Sequence, residues 1–265
     1  MKNVVKIGVI GGGSWATSII KMLCENVKCV NWWMRNEDAI KHIIKYGHNP
    51  NYISDAELKK ERLNLSSDIN EIVRDSDYIV LAVPSVFLKS TLNNLNVSVK
   101  DKVVFSAVKG IVPENNTIIG EFLHNQYKVP YENIGVITGP CHAEEVALER
   151  LSYLTIACSD LEKAKLFSNS IEGRYIKTNV SDDIYGTEYS AVLKNVVALA
   201  SGICHGLGYG DNFQAVLVSN AIREIKRFVD TVHPIKRDIN ESAYLGDLLV
   251  TAYSQFSRNR NFLFK

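Results

Sequence analysis

Two lysines stand where the surrounding sequence gives them no charged company. Lys194 lies within Tyr189-Ser190-Ala191-Val192-Leu193-Lys194-Asn195-Val196-Val197-Ala198-Leu199-Ala200, and no other Asp, Glu, Lys or Arg occurs between Glu188 and Asp211. Lys109 ends the apolar run Val103-Val104-Phe105-Ser106-Ala107-Val108, just before Gly110. Lysine is seldom buried without a partner, so both side chains point to a site that receives a negative ligand. The segment Gly11-Gly12-Gly13-Ser14-Trp15-Ala16 indicates which ligand. It follows an apolar strand pattern and opens a helical one, the context in which GxGxxG/A marks a dinucleotide site. Gly11 permits the tight turn, Gly13 leaves room for a pyrophosphate against the backbone, and Ala16 lets the helix pack closely on the strand. The first helical N–H groups, from Ser14 and Trp15 onward, then face the phosphates.

The end of the second strand should approach the adenosine ribose, where an acidic residue favours NAD. Here the residues are Met34-Arg35-Asn36. Arg35 suits a 2′-phosphate and favours NADP slightly, with use of both NAD and NADP left open; a solvated arginine at a helix start is the other reading.

Lys194 shares a helical face with Thr187, Ala191, Ala198 and Ser201, since these are three or four residues apart. All of these neighbours are small, which leaves space beside the ammonium. Free lysine titrates near about 10.4, too high for proton exchange at neutral pH. Burial and a second cation both lower it, and Lys109 past the end of a strand could supply that cation. The competing readings are a Lys194 that snorkels to water and a Lys109 exposed on a loop. Leu245-Gly246-Asp247 offers a carboxylate to orient Lys194, although a lone Gly-Asp also suits a turn. Ser257-Arg258-Asn259-Arg260 is a polar cluster after an apolar helix, and arginine grips phosphate bidentately.

These residues require a frame. Strand patterns at 4–10, 28–34, 78–83, 102–106 and 134–138 alternate with helical ones at 14–26, 37–46, 86–95 and 117–127. Such alternation predicts a parallel sheet with helices on both faces. Two late strands, 154–157 and 174–177, fit a sheet edge. From about residue 181 the strand patterns stop, and helices are predicted over 184–203, 213–229 and, more weakly, 243–253. The expected division is therefore an α/β unit over 1–180 and an all-α unit over 181–265.

Bulk properties exclude several classes. A net charge of +1 gives no bulk attraction to nucleic acid or to an anionic membrane. The richest apolar stretch carries Lys194, Asn195 and Ser201, which speaks against membrane insertion. Five scattered cysteines without CxxC argue for free thiols in a reducing compartment, and no metal site is expected. With no secretory signal at Met1, the expectation is a cytoplasmic protein.

Taken together, the segments resemble the NAD(P)-dependent glycerol-3-phosphate dehydrogenases of the bacterial type. Gly11 to Thr17, Ser106-Ala107-Val108-Lys109-Gly110, Thr138-Gly139-Pro140-Cys141-His142-Ala143-Glu144-Glu145-Val146, Leu193-Lys194-Asn195-Val196, Gly206 to Asn212, Leu245-Gly246-Asp247-Leu248 and Ser257 to Arg260 carry the resemblance, in family order. It implies a Rossmann-like domain followed by an all-helical one, and hydride transfer between a nicotinamide and C2 of dihydroxyacetone phosphate or sn-glycerol 3-phosphate. It also implies supply of glycerol 3-phosphate for phospholipid synthesis, a small phosphorylated substrate and a homodimer. By the same resemblance Lys194 is the general acid/base and Lys109 contacts substrate and cofactor. Gly139, Cys141, Asp247, Ser257, Arg258 and Asn259 contact substrate. Gly11, Gly13, Ser14, Trp15, Arg35, Lys109, Ala143 and Arg258 contact cofactor. Three departures stand out: Ala16 for a glycine, Cys141 for a serine or threonine, and an end at Lys265 where family members continue. An apparently truncated helical domain should leave apolar surface exposed around the last helix and bind cofactor more weakly. The competing assignments are a β-hydroxyacid or 6-phosphogluconate-type dehydrogenase and a cofactor-binding fragment without turnover.

Overall fold

The computed structural model describes residues 5–257 and 259–261 of the chain. The first part runs β1 (Ile7–Ile10), α1 (Ser14–Asn26), β2 (Val30–Trp33), α2 (Glu37–Tyr46), β3 (Leu63–Ser66), α3 (Ile69–Arg74), β4 (Tyr78–Leu81), α4 (Ser85–Leu92), β5 (Val103–Ser106) and α5 (Ile119–Tyr127). It continues with β6 (Ile134–Thr138), α6 (Ala143–Ala147), β7 (Ser152–Cys158), α7 (Leu161–Ile171) and β8 (Ile176–Ser181). The second part is α8 (Ile184–Gly206), α9 (Asp211–Val232), a π-helical turn at Ser242–Gly246, and α10 (Asp247–Tyr253).

The eight strands form one sheet in the order β3-β2-β1-β4-β5-β6-β7-β8. Strands β1, β2, β4 and β5 are buried throughout, as expected of strands covered on both faces. One apolar cluster gathers Val9, Ile20, Trp32, Val80, Phe105 and Phe167; a second gathers Ile10, Ile72, Ile79, Leu88, Val104 and Phe122. They form the cores on the two faces of a Rossmann-like sheet.

The sheet is parallel through β6, as the strand and helix alternation implies, and the late strands join it through one antiparallel pair, β6 with β7, with Thr138 opposite Thr155. Gly139 has φ +118, and a Cβ there would lie 2.8 Å from the Tyr153 carbonyl oxygen. The chain therefore folds back through the five-residue α6 instead of crossing the sheet. Strand β3, helix α3 and helix α7 were not anticipated. Strand β3 is a half-buried edge strand whose Leu-Asn-Leu-Ser alternates apolar and polar over four residues only, directly after the charged run Lys59-Lys60-Glu61-Arg62. Helix α7 did carry a signal: Asp160 caps it, accepting from the Glu162 amide at 3.1 Å and the Lys163 amide at 3.4 Å.

In the helical part, α9 buries the stripe Gln214, Val218, Ala221, Ile225 and Val229. That stripe meets Leu248 and Ala252 of α10 in a small separate core. Ser201 ties the three helices together, donating to the Ala252 carbonyl at 2.9 Å, while the Gln214 amide donates to the Ser201 carbonyl at 2.8 Å. Large apolar side chains remain exposed on this part, including Val196, Leu199, Leu207, Val216, Leu249, Tyr253 and Phe256. Among the described residues no helix is long and apolar enough to cross a membrane.

Candidate active site

The carboxyl ends of β1, β2, β5 and β6 lie on one edge of the sheet, where an open α/β sheet binds its ligand. Gly11 follows β1 there with φ +140, and any Cβ on it would overlap the Ala82 carbonyl oxygen. Its own carbonyl accepts from Trp32 Nε1 at 2.6 Å, which fixes the turn to β2. Around Gly13, by contrast, a Cβ would meet nothing within 4 Å. Gly13 is the N-cap of α1 and supplies no side chain to cap it, so the first amides, from Ser14 and Trp15, are left for a ligand. Ala16 is fully buried against the sheet.

Lys109 follows β5 on the same edge, with its ammonium 5.4 Å from the centre of the Trp15 ring. Lys194 projects from α8 toward it. The stripe Thr187, Ala191, Lys194, Ala198, Ser201 is buried throughout, and Lys194 itself is only 3% exposed. It does not snorkel to water. Its ammonium forms an ion pair with Asp247 Oδ2, and Asp247 is 2% exposed. Thr138 Oγ1 at the end of β6 donates to the same carboxylate at 3.3 Å. Desolvation pushes the Lys194 ammonium down to about 7; Asp247 opposes this, and the adjacent Lys109 ammonium adds to it. Burial alone would raise the Asp247 carboxyl, but the Lys194 and Lys109 cations hold it below the usual carboxylate range.

Gly139, Cys141 and Ala143 form the turn after β6 that faces these groups. Ala143 is fixed by its carbonyl, which accepts from Ser18 Oγ of α1 at 3.2 Å. Cys141 is buried, and desolvation raises its thiol to about 12, so it remains protonated and un-nucleophilic. Ser257 is buried, with Oγ accepting from the Arg260 amide at 3.4 Å. Asn259 Nδ2 donates to Asn195 Oδ1 at 2.8 Å, and Asn195 Nδ2 donates to the Lys109 carbonyl at 3.2 Å. Arg258 lies outside the described residues. Arg35 is set apart from the lysines. It is exposed after β2, beside a depression of about 420 Å³ lined also by Trp33, Ser67, Asp68 and Asn70.

Two residues in the site were missed. Asn195 joins the Lys109 loop to Asn259, and its place next to Lys194 was the available signal. His142 packs on Phe256 with ring centres 6.0 Å apart. Burial and the Lys109 cation lower its pKa, so it is neutral at pH 7. His142 Nε2 and Trp15 Nε1 are both buried without a hydrogen-bond partner among the described residues. Buried polar atoms left unpaired beside the lysines and the glycine turn fit a bound ligand that completes them. Together with the open Gly13 turn, they fit a dinucleotide at this edge.

Comparison with known proteins agrees with this geometry. The family model for the NAD-dependent glycerol-3-phosphate dehydrogenase N-terminus matches residues 6–164, and that for the C-terminus matches residues 183–264. Glycerol-3-phosphate dehydrogenase [NAD(P)+] of an Exiguobacterium strain is 34% identical over 97% of this chain and 75% of its own length. That of Macrococcus caseolyticus is 33% identical over 97% of this chain and 77% of its own. The crystal structure of glycerol-3-phosphate dehydrogenase from Coxiella burnetii superposes with a TM-score of 0.86 at 25% identity, covering 97% of this chain and 78% of that one. These matches favour the glycerol-3-phosphate assignment over the β-hydroxyacid and 6-phosphogluconate types. The chain belongs to the NAD(P)-dependent glycerol-3-phosphate dehydrogenase family.

Proposed function

We propose that this chain interconverts dihydroxyacetone phosphate and sn-glycerol 3-phosphate, with Lys194 as its general acid and base. The observation that carries the assignment is the buried Lys194, paired with Asp247 and pressed by Lys109, on the same edge as the open dinucleotide turn. Bound NAD(P)(H) supplies or accepts the hydride at C2 of the substrate. Reduction of a ketone also needs a proton on the oxygen, and the Lys194 ammonium provides it. A pKa near neutrality suits that exchange, worth roughly 10²–10⁴-fold in rate. Lys109 adds positive potential where the oxygen gains negative charge. Asp247 orients Lys194, and Thr138 orients Asp247.

Ser257, Arg258 and Asn259 would hold the phosphate. That remote grip places the reacting carbon, so phosphate binding energy serves orientation. Gly139 and Cys141 line the substrate, the latter as a thiol. The amides of Ser14 and Trp15, the space at Gly13, the backbone near Ala143 and the side chains of Lys109 and Arg258 would hold the cofactor. Arg35 would take a 2′-phosphate, which favours NADP while leaving NAD usable. In this reading 1–180 is the dinucleotide-binding unit and 181–265 the substrate-binding one. Two copies associate, the enzyme works in the cytoplasm, and its glycerol 3-phosphate feeds phospholipid synthesis.

The test is oxidation of NADPH and NADH with dihydroxyacetone phosphate. Turnover with this ketone is the expected result. Cofactor binding without turnover, or a preference for a 3-oxo acid, the oxidised form of a β-hydroxyacid, would overturn it. Sedimentation checks association: a single 29.7 kDa species at every concentration rejects the dimer.

A further inference from the structure

Asp183 caps α8, accepting from the Gly186 amide at 2.9 Å. The same carboxylate receives two more donors from distant parts of the chain. Arg237 Nε donates to it at 2.8 Å, and Tyr244 Oη donates at 2.7 Å. Asp183, Arg237 and Tyr244 are all nearly inaccessible to water. Arg237 is itself braced by the Asp230 carboxylate and by the His233 carbonyl at 2.9 Å. The chain is shaped to seat this guanidinium. A Cβ on Gly186 would overlap Asp183 Oδ2 and lie 3.0 Å from Arg237 Nε.

The position of this cluster gives it a consequence beyond stability. Tyr244 lies within the π-helical turn at Ser242–Gly246, and Asp247 is the next residue after that turn. Such turns are rare and are found mostly as single-turn interruptions of α-helices; this one is held from outside by the Tyr244 hydroxyl on Asp183. The turn also lies over the substrate-lining loop, since a Cβ on Gly246 would be 3.6 Å from Pro140 Cγ. Helix α8 and the 244–247 segment are thus tied twice, by Asp183 to Tyr244 and by Lys194 to Asp247. Loosening the first tie lets the second drift. A buried ion pair weakens steeply as its geometry degrades.

We propose that Asp183, Arg237 and Tyr244 form a positioning clamp that holds the π-helical turn in register and so sets how firmly Asp247 grips the Lys194 ammonium. This inference rests on the role proposed for Lys194. The groups that face Lys194 are Asp247 from α10 and Lys109 from the loop after β5, with His142 also within electrostatic reach. Asp247 is the one that favours the ammonium. A looser Asp247 leaves burial and Lys109 less opposed, so Lys194 loses its proton at lower pH.

The test is the pH profile of kcat for dihydroxyacetone phosphate reduction in Tyr244→Phe, which removes one hydroxyl and leaves Asp183 paired with Arg237. The expected result is a kcat lower by on the order of tenfold, less than the 10²-fold cost of a 1 Å misplacement. KM changes less than about twofold, and the limb on which activity falls with rising pH moves to lower pH. Arg237→Lys keeps the charge but not the planar fork. It is read in the same way, and carries the test if Tyr244→Phe is not recovered folded. Val229→Ala, a cavity in the helical core, serves as the stability control: it lowers Tm and leaves the limb in place. A clamp variant that behaves like the Val229→Ala control overturns the proposal. An unmodified protein with activity but no limb near neutrality overturns the Lys194 assignment instead, and the clamp with it.

Discussion

Three influences meet on the Lys194 ammonium: burial, the Asp247 carboxylate and the Lys109 cation. Their balance brings its pKa to about 7, where one side chain can both give and take a proton. Reduction of the ketone needs the ammonium, so its kcat should fall as pH rises through about 7, whereas oxidation of the alcohol needs the free amine and should gain. A pH profile in each direction checks the opposite signs. Lys194→Ala should lower kcat by roughly 10²–10⁴-fold while leaving cofactor affinity within about threefold. Turnover and a fluorescence titration of the reduced cofactor measure the two separately, and an equal loss in both would contradict the role. The lysine itself was legible because it was an isolated charge in an apolar helix. Its partnership with Asp247, 53 positions away in the chain, had only a weak Gly-Asp signal in the sequence, because it is the packing of α10 against α8 that brings the two together.

At the scale of elements, the β1 turn separates residues that fold the chain from residues that make space. Gly11 has φ +140 and no room for a Cβ, whereas Gly13 has open space beyond it. Gly11→Ala should therefore destabilise the protein, by about 1–3 kcal/mol for the strained backbone alone, as read from urea unfolding. Gly13→Val should leave Tm nearly unchanged and weaken cofactor binding by roughly tenfold or more, because it fills the approach to the α1 amides. A large fall in Tm for Gly13→Val would show that the open space serves packing instead. Helices α1, α2, α8 and α9 were visible in advance, because their apolar residues recur three and four apart over ten or more residues. Strand β3 and helix α3 were not. Strand β3 lacks the continuous apolar run that marks the equally short β1, β4 and β5, and helix α3 at six residues is too short to establish a period; pairing with β2 fixes β3 in place.

At the scale of the whole molecule, Glu188 links the two parts. It projects from α8 and accepts from the Gly120 amide at the start of α5 at 2.9 Å. Desolvation raises its carboxyl from the usual 4.5 to about 8. The folded protein therefore keeps a proton that the unfolded chain sheds between these values. That contribution to stability is present in full below about 4.5 and is lost as pH rises through about 8. Glu188→Gln stays neutral at every pH and should flatten this part of the pH–stability curve. Urea midpoints from about pH 5 to about pH 9 test the difference between variant and unmodified protein. That difference isolates Glu188 from Lys194, whose lowered pKa makes stability rise with pH above about 7. Parallel curves for the two proteins would remove Glu188 from the account. By itself, the sequence determined the glycine turn, the strand and helix alternation, the change to helices near residue 181 and the two isolated lysines. Each of these is a local pattern of residue type and period, which chain chemistry imposes wherever the segment lies. Tertiary structure alone decided that β7 runs antiparallel to β6, that Asp183 gathers donors from residues 237 and 244, and that the Lys194–Asp247 pair is fully buried with Lys109 beside it. Those facts depend on how far-separated segments pack, and packing sets the desolvation and the neighbouring charges that make a lysine reactive.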